Sequence, residues 1–598
     1  MKFLMWAVGI LLITSTFLNN PVSTQSDDEP PAATCSEHDR DALLYFKSKI
    51  SKDTTGFLDT WNSDSHCCSG GWSGVDCRAA DAPGRVSSLM IQGPSTDSYM
   101  IGLLSPSLGK LQFLDTLIIT GMKGISGRIP EIFSNLTRLT SLVLDDNALQ
   151  GTIPSSLGRL SRLRALSLSG NHLTGPIPAS LANLRNLSTL SLARNSLTGQ
   201  IPSALSNLRR LVFLDLSYNS LSGPIPVSLG QLGNLTNLLL TGNQLSGPIP
   251  TSLFGLSLLS QMSIGQNQLT GEIPSEIKNL KSVETLSLSC NKLTGRIPDS
   301  ISGLTNLWDL NLSRNSLTHP LPDRAFSTGL NALLSIDLSH NNLTLGTPPD
   351  WIVKRNFTIV RLTGCGLTGP LPNFTTPDLL STVDLSDNHF TSGISTFFER
   401  MTSLTYVNIS NNLLRGDLST IRLPRQILIM DVGSNKLTGS ISRLLANGTS
   451  EFLEIINVSK NKMSGTMPDL FGHGPGSRLR VLDLGSNDIS GQIPSSISKL
   501  DKLERLDISR NRITGSIPTG LGLLMKLQWL DVSGNGLTGE IPDHWSGNKT
   551  LSHVSFRENK LCGQIPQIRP FTIFPAAAYT NNLCLCGKPL DPCKKKKE

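Results

Sequence analysis

Leu214-Asp215-Leu216-Ser217-Tyr218-Asn219-Ser220-Leu221-Ser222-Gly223-Pro224-Ile225-Pro226 is one copy of a frame that returns throughout the chain. Its Asn recurs every 24 residues from Asn147 to Asn315, then every 23 to 26 residues to Asn559, with Cys365 in one Asn position. These are eighteen clear copies, and two looser ones around 89–98 and 117–127 bring the total to about twenty. Such a period predicts a stack of repeated units that bury one another's apolar side chains.

The physical role of each part of the frame follows from its chemistry. In Leu214-Asp215-Leu216 the leucines alternate with a polar residue, which predicts a short strand with one buried face. The frame Asn turns the chain inward, where its side chain can satisfy backbone groups that would otherwise be buried unpaired. The Gly-x-Ile-Pro element then ends the strand pairing, because proline has no N–H to donate.

Three motifs carry a family resemblance. A period of 24 with L-x-x-L-x-L-x-x-N-x-L is the leucine-rich-repeat signature, and the element Leu197-Thr198-Gly199-Gln200-Ile201-Pro202 resembles the plant-specific class of these repeats. That class includes polygalacturonase-inhibiting proteins and the ectodomains of plant receptor kinases and receptor-like proteins. The two ends resemble its caps in Asp41-Ala42-Leu43-Leu44, Trp61-Asn62, Cys67-Cys68, Trp72-Ser73-Gly74-Val75-Asp76-Cys77, Leu561-Cys562-Gly563 and Cys586-Gly587-Lys588-Pro589-Leu590.

The resemblance implies an α/β solenoid, a right-handed leucine-rich-repeat superhelix of about twenty rungs with a parallel sheet on its concave side and disulfide-stapled caps. The domain boundaries that we predict are a signal peptide at 1–24, a linker at 25–34, an N-terminal cap at 35–84, repeats at 85–560, a C-terminal cap at 561–593 and a basic tail at 594–598. No interval between frame residues exceeds 26, so the long island insertion of steroid-binding receptors is not expected.

The first residues predict the compartment. Lys2 precedes an apolar run from Phe3 to about Ile13, and small residues follow near Thr24, which is the layout of a secretory signal peptide. The run is shorter than the roughly 20 apolar residues that span a membrane, and later apolar stretches are broken by polar residues. We therefore expect a secreted protein of the extracellular space or cell wall, without a membrane span.

Cysteine usage agrees with that compartment. Eight of the ten cysteines cluster at the two ends, in two even groups typical of disulfides in an oxidising environment. The sequence alone leaves three connectivities for each group, and the resemblance implies the pairs Cys35–Cys67, Cys68–Cys77, Cys562–Cys584 and Cys586–Cys593. Zinc binding is disfavoured, because neither group has a CxxC pair or a His at ligand spacing. Cys290 and Cys365 remain, three rungs apart and too distant to pair.

Catalytic and nucleic-acid motifs are lacking, and we expect no enzyme and no cofactor. The net charge of +7 includes Lys594 to Lys597, and the other charges are not concentrated as a nucleic-acid interface requires. A column of aspartates, among them Asp483, Asp507 and Asp531, would place carboxylates about 5 Å apart on adjacent strands, a spacing that suits some glycosidases. We prefer the structural interpretation, because Asp belongs to the repeat frame and borders Ser hydroxyls there.

The concave face is the expected binding surface. The position six before the frame Asn is mostly polar in early rungs and apolar in late ones, and an apolar stripe beside acids favours a partner site. The predicted ligand-binding residues are Phe213, Asp215, Tyr218, Tyr406, Asp431, Ile455, Asp483, Asp507 and Trp529. Packing beneath loops is the structural alternative.

Basic residues flank the same late rungs: Lys436, Lys460, Lys462, Arg510, Arg512, Arg557 and Lys560. A solvated edge explains them simply, and an anion-binding margin for an acidic peptide or uronic-acid polymer is the sharper hypothesis. The Arg pair that binds peptide-hormone C-termini in related receptor kinases would lie six and four before the frame Asn. In this chain each such pair of positions holds at most one Arg, Arg361 in one repeat and Arg505 in another. We therefore do not transfer the role.

N-x-S/T sequons predict N-glycosylation of a secreted chain. Three of them, Asn311, Asn408 and Asn457, fall in the acid column of the strands, where glycans would divide the face. The candidate positions are Asn135, Asn186, Asn234, Asn311, Asn342, Asn356, Asn373, Asn408, Asn447, Asn457 and Asn548.

These patterns together predict a secreted, non-catalytic recognition protein of plant defence or development. Its concave face would bind an extracellular protein, a peptide or a pectic carbohydrate, with a membrane receptor kinase as a further partner. One alternative is an inhibitor of a microbial polygalacturonase, and another is a structural component of the cell wall that is held to pectin by its basic tail.

Overall fold

The computed structural model describes residues 34–62, 65–68, 70–77, 82–93, 97–318, 320–446, 452–469, 478–545 and 548–593. The predicted signal peptide, nearly all of the predicted linker, the basic tail at 594–598 and the sequon Asn447 lie outside these residues. The chain divides into two compact units, Met1–Ala165 and Leu166–Glu598, with the strand Ala165–Ser167 at the division.

The first unit begins with the helix Glu37–Ser48, whose apolar side packs on two stacked indoles. Trp61 and Trp72 are fully buried with ring centroids 5.4 Å apart. Buried Asp39 accepts two bonds from the Arg85 guanidinium at 2.9 and 2.8 Å. The unit's strands are Ile50–Asp53, Val75–Asp76, Ser88–Gln92, Met100–Leu103, Thr116–Thr120, Lys123–Gly127, Ser141–Val143 and Ala148–Thr152, and its 3-10 helices are Phe57–Thr60, Pro106–Lys110, Glu131–Asn135 and Ser155–Arg159.

The second unit contains a parallel sheet of three-residue strands, which we name the main sheet. Consecutive strands pair in register, one strand per repeat. The strands are Thr189–Ser191, Phe213–Asp215, Asn237–Leu239, Gln261–Ser263, Thr285–Ser287, Asp309–Asn311, Ser335–Asp337, Ile359–Arg361, Thr382–Asp384, Tyr406–Asn408, Ile429–Asp431, Ile455–Asn457, Val481–Asp483, Arg505–Asp507, Trp529–Asp531 and His553–Ser555.

Further strands follow the frame Asn in most repeats. They form short parallel ladders and end at the Gly-x-Ile-Pro element, where Gly223 takes a φ of 76° that favours glycine. These strands are His172–Pro176, Ser196–Gly199, Ser220–Pro224, Gln244–Pro248, Gln268–Glu272, Lys292–Thr294, Thr368–Pro370, His389–Ser392, Arg415–Asp417, Lys436–Ser440, Lys462–Ser464, Ser490–Gln492, Arg512–Ser516, Gly536–Gly539, Lys560–Gln564 and Cys584–Cys586.

The segments that return the chain to the next strand are mostly 3-10 helices. They are Ala179–Asn183, Ser203–Asn207, Val227–Gln231, Thr251–Gly255, Ser275–Asn279, Asp299–Gly303, Pro377–Leu379, Leu418–Thr420, Ser495–Lys499, Thr519–Leu523, Phe571–Ile573 and Ala576–Ala578. Short α-helices replace them at Asp323–Thr328, Asp350–Lys354, Ile394–Phe397 and Ile441–Ala446. The predicted fold class, a solenoid of stacked parallel strands, is confirmed.

The frame Asn holds neighbouring repeats together. The Asn219 side-chain amide donates to the carbonyls of Leu192, Leu216 and Ser217, and its oxygen accepts from the Leu197 N–H at 3.0 Å. One side chain thus satisfies four backbone groups, two of them in the preceding repeat, within a core whose leucines are fully buried. The same bonds recur along the chain, which explains why Asn is the most regular polar residue of the frame.

Disulfides fasten both ends with the connectivity that the resemblance implies: Cys35–Cys67, Cys68–Cys77, Cys562–Cys584 and Cys586–Cys593. Cys290 and Cys365 are free thiols. Cys365 replaces a frame Asn and is fully buried, and this burial raises its pKa to about 12, which makes it an inert core residue.

Candidate functional site

Most strands of the main sheet present two side chains to solvent and bury the one between them, as Arg505–Asp507 and Trp529–Asp531 do. Its late strands, from Ile455–Asn457 to His553–Ser555, border an open cleft of about 310 Å³. We name this the late cleft. Its charged lining consists of Asp483, Asp507, Asp531, Arg505, Lys460, Arg510 and Arg557. It therefore contains two of the predicted ligand-binding residues, Asp483 and Asp507.

Arg505 lies between two of the carboxylates on the cleft floor. Its guanidinium is 3.3 Å from an Asp507 oxygen and 3.7 Å from an Asp483 oxygen. Burial, together with the neighbouring Asp507 charge, raises the pKa of Asp483 to about 6. Arg505 thus offsets the repulsion between two half-buried carboxylates on adjacent strands.

The first oxygen of each frame Asp is engaged within its own strand end. Asp507 Oδ1 accepts from the backbone N–H and the hydroxyl of Ser509 at 3.1 and 2.7 Å, and Asp531 Oδ1 accepts in the same way from Ser533 at 2.9 and 2.6 Å. These bonds end the strand in a local turn, which supports the structural interpretation of the Asp column.

Trp529 belongs to a stack that runs along the sheet. The Arg505 guanidinium carbon lies 4.5 Å from one face of the indole, and the His553 ring lies 3.5 Å from the other at an interplanar angle of 12°. Both faces of Trp529 are therefore covered, and the indole holds Arg505 in place through a cation–π contact. Partial burial lowers the pKa of His553, so the neutral imidazole is favoured in this stack.

Three cations form the rim of the cleft: Lys460, Arg510 and Arg557. The structure shows no ion pair for any of them with another described residue. Arg512, two residues from Arg510, is instead paired with Asp488 at 2.6 Å. Of the predicted basic margin, Lys460, Arg510 and Arg557 line the cleft, Arg512 is neutralised beside it, and Lys436, Lys462 and Lys560 lie outside the cleft lining.

The other late residues predicted to bind ligand lie on strands preceding the floor. Ile455 and Asp431 are half-buried on the solvent face. The Tyr406 hydroxyl donates to Asp384 Oδ2 at 3.2 Å, and burial together with the Asp384 charge raises its pKa to about 12. Tyr406 is therefore a fixed polar contact of the face.

The early residues are well separated from the cleft. The strand Phe213–Asp215 lies eight strands before Tyr406–Asn408, roughly 38 Å at 4.8 Å per strand. Tyr218 is 53% exposed, with its ring over Gly242, where a Cβ would lie only 2.7 Å from the ring. Asp215 accepts from Ser217, and burial raises its pKa. The structure thus divides the predicted ligand-binding residues into two groups.

Sequence reasoning did not select Arg505 or His553 for the site. Both occupy the position six before the frame Asn, the same column that identified Trp529. Sorting that column by charge as well as by hydrophobicity would have found them, because an Arg, a Trp and a His on consecutive strands are in stacking register.

The sequons differ sharply in accessibility. Asn135, Asn234, Asn342, Asn356 and Asn373 are exposed, whereas Asn186, Asn311, Asn408 and Asn457 are half-buried. The prediction at Asn548 is wrong, because that side chain is only 4% exposed and its nitrogen, the atom that would carry the glycan, donates to the Leu524 carbonyl at 2.9 Å.

Across the described residues, one group of three or more metal-type ligand atoms lies within 4.8 Å: the sulfurs of Cys35, Cys67 and Cys68. Disulfide bonds already use all three. None of the described helices has the length and apolar character needed to cross a membrane.

Some known proteins resemble part of this chain in sequence, and others resemble most of it in fold. DNA damage-repair/toleration protein DRT100 of Arabidopsis thaliana is 36% identical over 124 residues, 19% of this chain and 32% of that protein. Polygalacturonase inhibitor 2 of the same plant is 33% identical over 110 residues, 18% of this chain and 31% of the inhibitor. The chain thus spans about a third of the length of these curated relatives.

The Arabidopsis receptor kinase HAESA ectodomain, solved with an N-terminally extended IDA peptide hormone, superimposes with a TM-score of 0.62. It is 30% identical, and the match covers 93% of this chain and 99% of that one. Family models named leucine rich repeat match residues 114–173, 186–208, 210–232, 234–256, 257–317, 332–354 and 477–537, and a leucine rich repeat N-terminal domain matches 36–78. These models cover just over half of the chain, which therefore belongs to the leucine-rich-repeat family, and its similarities within that family are to plant receptor ectodomains and polygalacturonase inhibitors.

Proposed function

We propose that this protein is a secreted, non-catalytic recognition protein that binds an extracellular peptide or protein on the solvent face of its main sheet, in plant defence or development. The late cleft carries the proposal. It holds rim cations without a carboxylate partner among the described residues above a floor of carboxylates, on a sheet of consecutive paired strands. Charged groups that no other described residue neutralises favour an external partner of complementary charge.

The comparisons support the same class of function. The HAESA ectodomain, of which the match covers 99%, was solved with a peptide hormone. A related crystal structure includes the co-receptor SERK1 as well as the peptide. A membrane receptor kinase is accordingly the second partner that we propose for this protein.

The floor geometry argues for binding rather than hydrolysis. A glycosidase needs one carboxylate to protonate the leaving group and a second to act as nucleophile or base. Asp507 instead has one oxygen bonded to Ser509 and the other beside Arg505. Asp483 also faces Arg505. The strands beside Asp531 place Asp507 and Ser555 next to it, so Asp531 has no second free carboxylate on an adjacent strand with which to form an acid–base pair.

An inhibitor of polygalacturonase is the second candidate function, favoured by the similarity to Polygalacturonase inhibitor 2. Added to a microbial polygalacturonase on polygalacturonate, the purified protein should then slow the release of reducing ends. Full enzyme activity at micromolar protein removes this version.

The experiment for the main proposal compares captures by matched proteins. The protein is produced as a full chain in plant cells, where its recovery from the medium with a new N-terminus near residue 25 tests secretion. Wild type, an Arg505→Ala/Trp529→Ala variant and a Leu523→Ser control are each immobilised and exposed to an extracellular extract. Leu523 is 62% exposed on the 3-10 helix Thr519–Leu523, so the control changes the surface away from the main sheet.

The expected result is a protein or peptide retained by wild type and by the control but lost from the double variant. Partners that all three proteins retain equally would refute binding at the late cleft. A retained partner lost only from the Leu523→Ser protein would place recognition on the helical side.

A further inference from the structure

The late cleft has two rows of opposite charge, and their order across the strands restricts what can bind. The rim cations lie at the ends of alternate strands: Lys460 after Ile455–Asn457, Arg510 after Arg505–Asp507 and Arg557 after His553–Ser555. Each is two strands from the next, about 10 Å at roughly 4.8 Å per strand. Lys460 and Arg510 directly precede their frame Asn, whereas Arg557 is two residues before its own. Gly534 donates its N–H to the Arg557 carbonyl at 3.1 Å, and the Arg510 side chain leans over Gly534.

The rim cations differ from basic residues nearby. Arg480 forms bonds of 2.9 and 3.0 Å with Glu504, and Arg512 is 2.6 Å from Asp488. Lys460, Arg510 and Arg557 have no such partner among the described residues. Their charges are therefore open to a ligand.

The floor is unevenly neutralised. Arg505 offsets the negative charges of Asp483 and Asp507, as described above. Asp531 has one oxygen bonded to Ser533 and no partner at the other among the described residues. Asp531 lies on the strand between Arg510 and Arg557, so an open anion is flanked on both sides by open cations.

Two features disfavour a pectic ligand. A sugar ring is commonly held against an exposed aromatic face, but Arg505 and His553 cover both faces of Trp529. A uniformly anionic polymer would also meet the carboxylates of Asp483, Asp507 and Asp531, and like charges at an interface cost several kcal/mol.

We infer that the late cleft is selective for a polypeptide segment of mixed charge in the polyproline-II conformation, with acidic side chains three residues apart and a basic side chain between the pair that reaches Arg510 and Arg557. The spacing follows from the three residues per turn and the rise of about 3.1 Å per residue of that conformation, which bring side chains three residues apart to the same side, about 9 Å from each other. The basic side chain would pair with Asp531. This inference rests on the proposed function and specifies its ligand.

The test uses a displayed library of random peptides, selected on the immobilised full-length protein. Affinities of enriched peptides are then measured for wild type and for Arg510→Glu, Arg557→Glu and Arg512→Glu proteins, each first shown to melt like wild type. Arg512 is the matched control, because it lies on the same repeat but outside the cleft and is already paired. Oligogalacturonate is measured in parallel.

Enriched peptides should share acidic residues three apart with a basic residue between them. Arg510→Glu and Arg557→Glu should each weaken binding about ten-fold or more at low salt, and Arg512→Glu less than about two-fold. A peptide with the same composition but its acidic residues clustered should bind more weakly than its parent.

Several results would overturn the inference. Enriched peptides without the charge spacing, equal losses in Arg510→Glu and Arg512→Glu, no enrichment at micromolar protein, or tighter binding of oligogalacturonate would each do so. If such peptides still lose affinity for the Arg505→Ala/Trp529→Ala variant, the proposed function stands and only the charge pattern fails. If the double variant binds them like wild type, both fail.

Discussion

The early main-sheet strands around Phe213–Asp215 and the late strands around Arg505–Asp507 share one backbone and differ in surface chemistry. Both have half-buried outer residues around a buried leucine, and both pair in register with their neighbours. The early face presents mainly neutral groups such as Asn237 and Gln261, which bond to each other at 2.9 Å. The late face places four ionic side chains on three strands. Function in this fold therefore depends on positions that the repeat leaves free.

The largest expected effect is a loss of local stability, and it should be the same in the early and the late region. Asn219→Ala and Asn487→Ala each remove a side chain that bonds four backbone groups. A buried polar group left without a partner costs about 1–3 kcal/mol, so each variant should lose about 3 kcal/mol or more of local stability. Hydrogen exchange with mass spectrometry measures this, as faster exchange in the mutated repeat and its neighbour.

The matched control is Asn411→Gly, because Asn411 has a φ of 53°, which glycine adopts without strain. Asn411 is exposed, directly precedes a frame Asn, and donates to Asp387 at 2.9 Å. Its loss should cost less than about 1 kcal/mol. If the early Asn219→Ala and late Asn487→Ala proteins differ widely, the equivalence of the two backbones is wrong.

The frame could be predicted from sequence because its residues have only one physical solution. A period of 24, leucines that must be buried and an Asn that must satisfy four backbone groups determine the strands, their order and their register. The N- and C-terminal pairings, such as Cys35–Cys67, followed from a resemblance that the structure bears out. Fold prediction succeeded where burial left no alternative.

The site was harder to predict, because exposed side chains in one column of the sheet can pack against each other in many ways. Trp529 was identified as an apolar contact, but the structure shows it between Arg505 and His553. The sequence shows which residues share a column and not how their rings stack. Asn548 failed for a similar reason: its sequon is intact, but its amide is buried against the preceding repeat and donates to the Leu524 carbonyl.

The next effect is a pH dependence that should separate the regions. Asp483 has a pKa of about 6 in the folded chain, well above that of an ordinary Asp, so the folded state binds its proton more tightly than the unfolded state does. This group's contribution to stability is therefore greatest below about pH 4 and is lost as pH rises to about 6, by as much as about 3 kcal/mol. Asp483→Asn should raise the melting temperature at pH 7.5 and match wild type at pH 4.

Asp215→Asn is the early counterpart. Burial raises the pKa of Asp215 as well, but the adjacent strands place Ser191 and Leu239 beside it and no second carboxylate. The change should have the same sign and a smaller size. Equal shifts in the two variants would show that Asp507 has little influence on Asp483.

The smallest expected effect concerns Trp529 as a positioning residue. A cation–π contact contributes about 1 kcal/mol, so Trp529→Leu should weaken peptides selected on the late cleft about five-fold, and Trp529→Phe should restore part of the loss. Phe213→Leu, in the same column of the early region, should change affinity less than about two-fold. Biolayer interferometry with one enriched peptide measures all three. Because Arg505 retains its carboxylate partners in Trp529→Leu, the loss should be smaller than in Arg505→Ala, whereas an equal loss would mean that the indole itself contacts the ligand. A loss in Phe213→Leu alone would move recognition to the early strands.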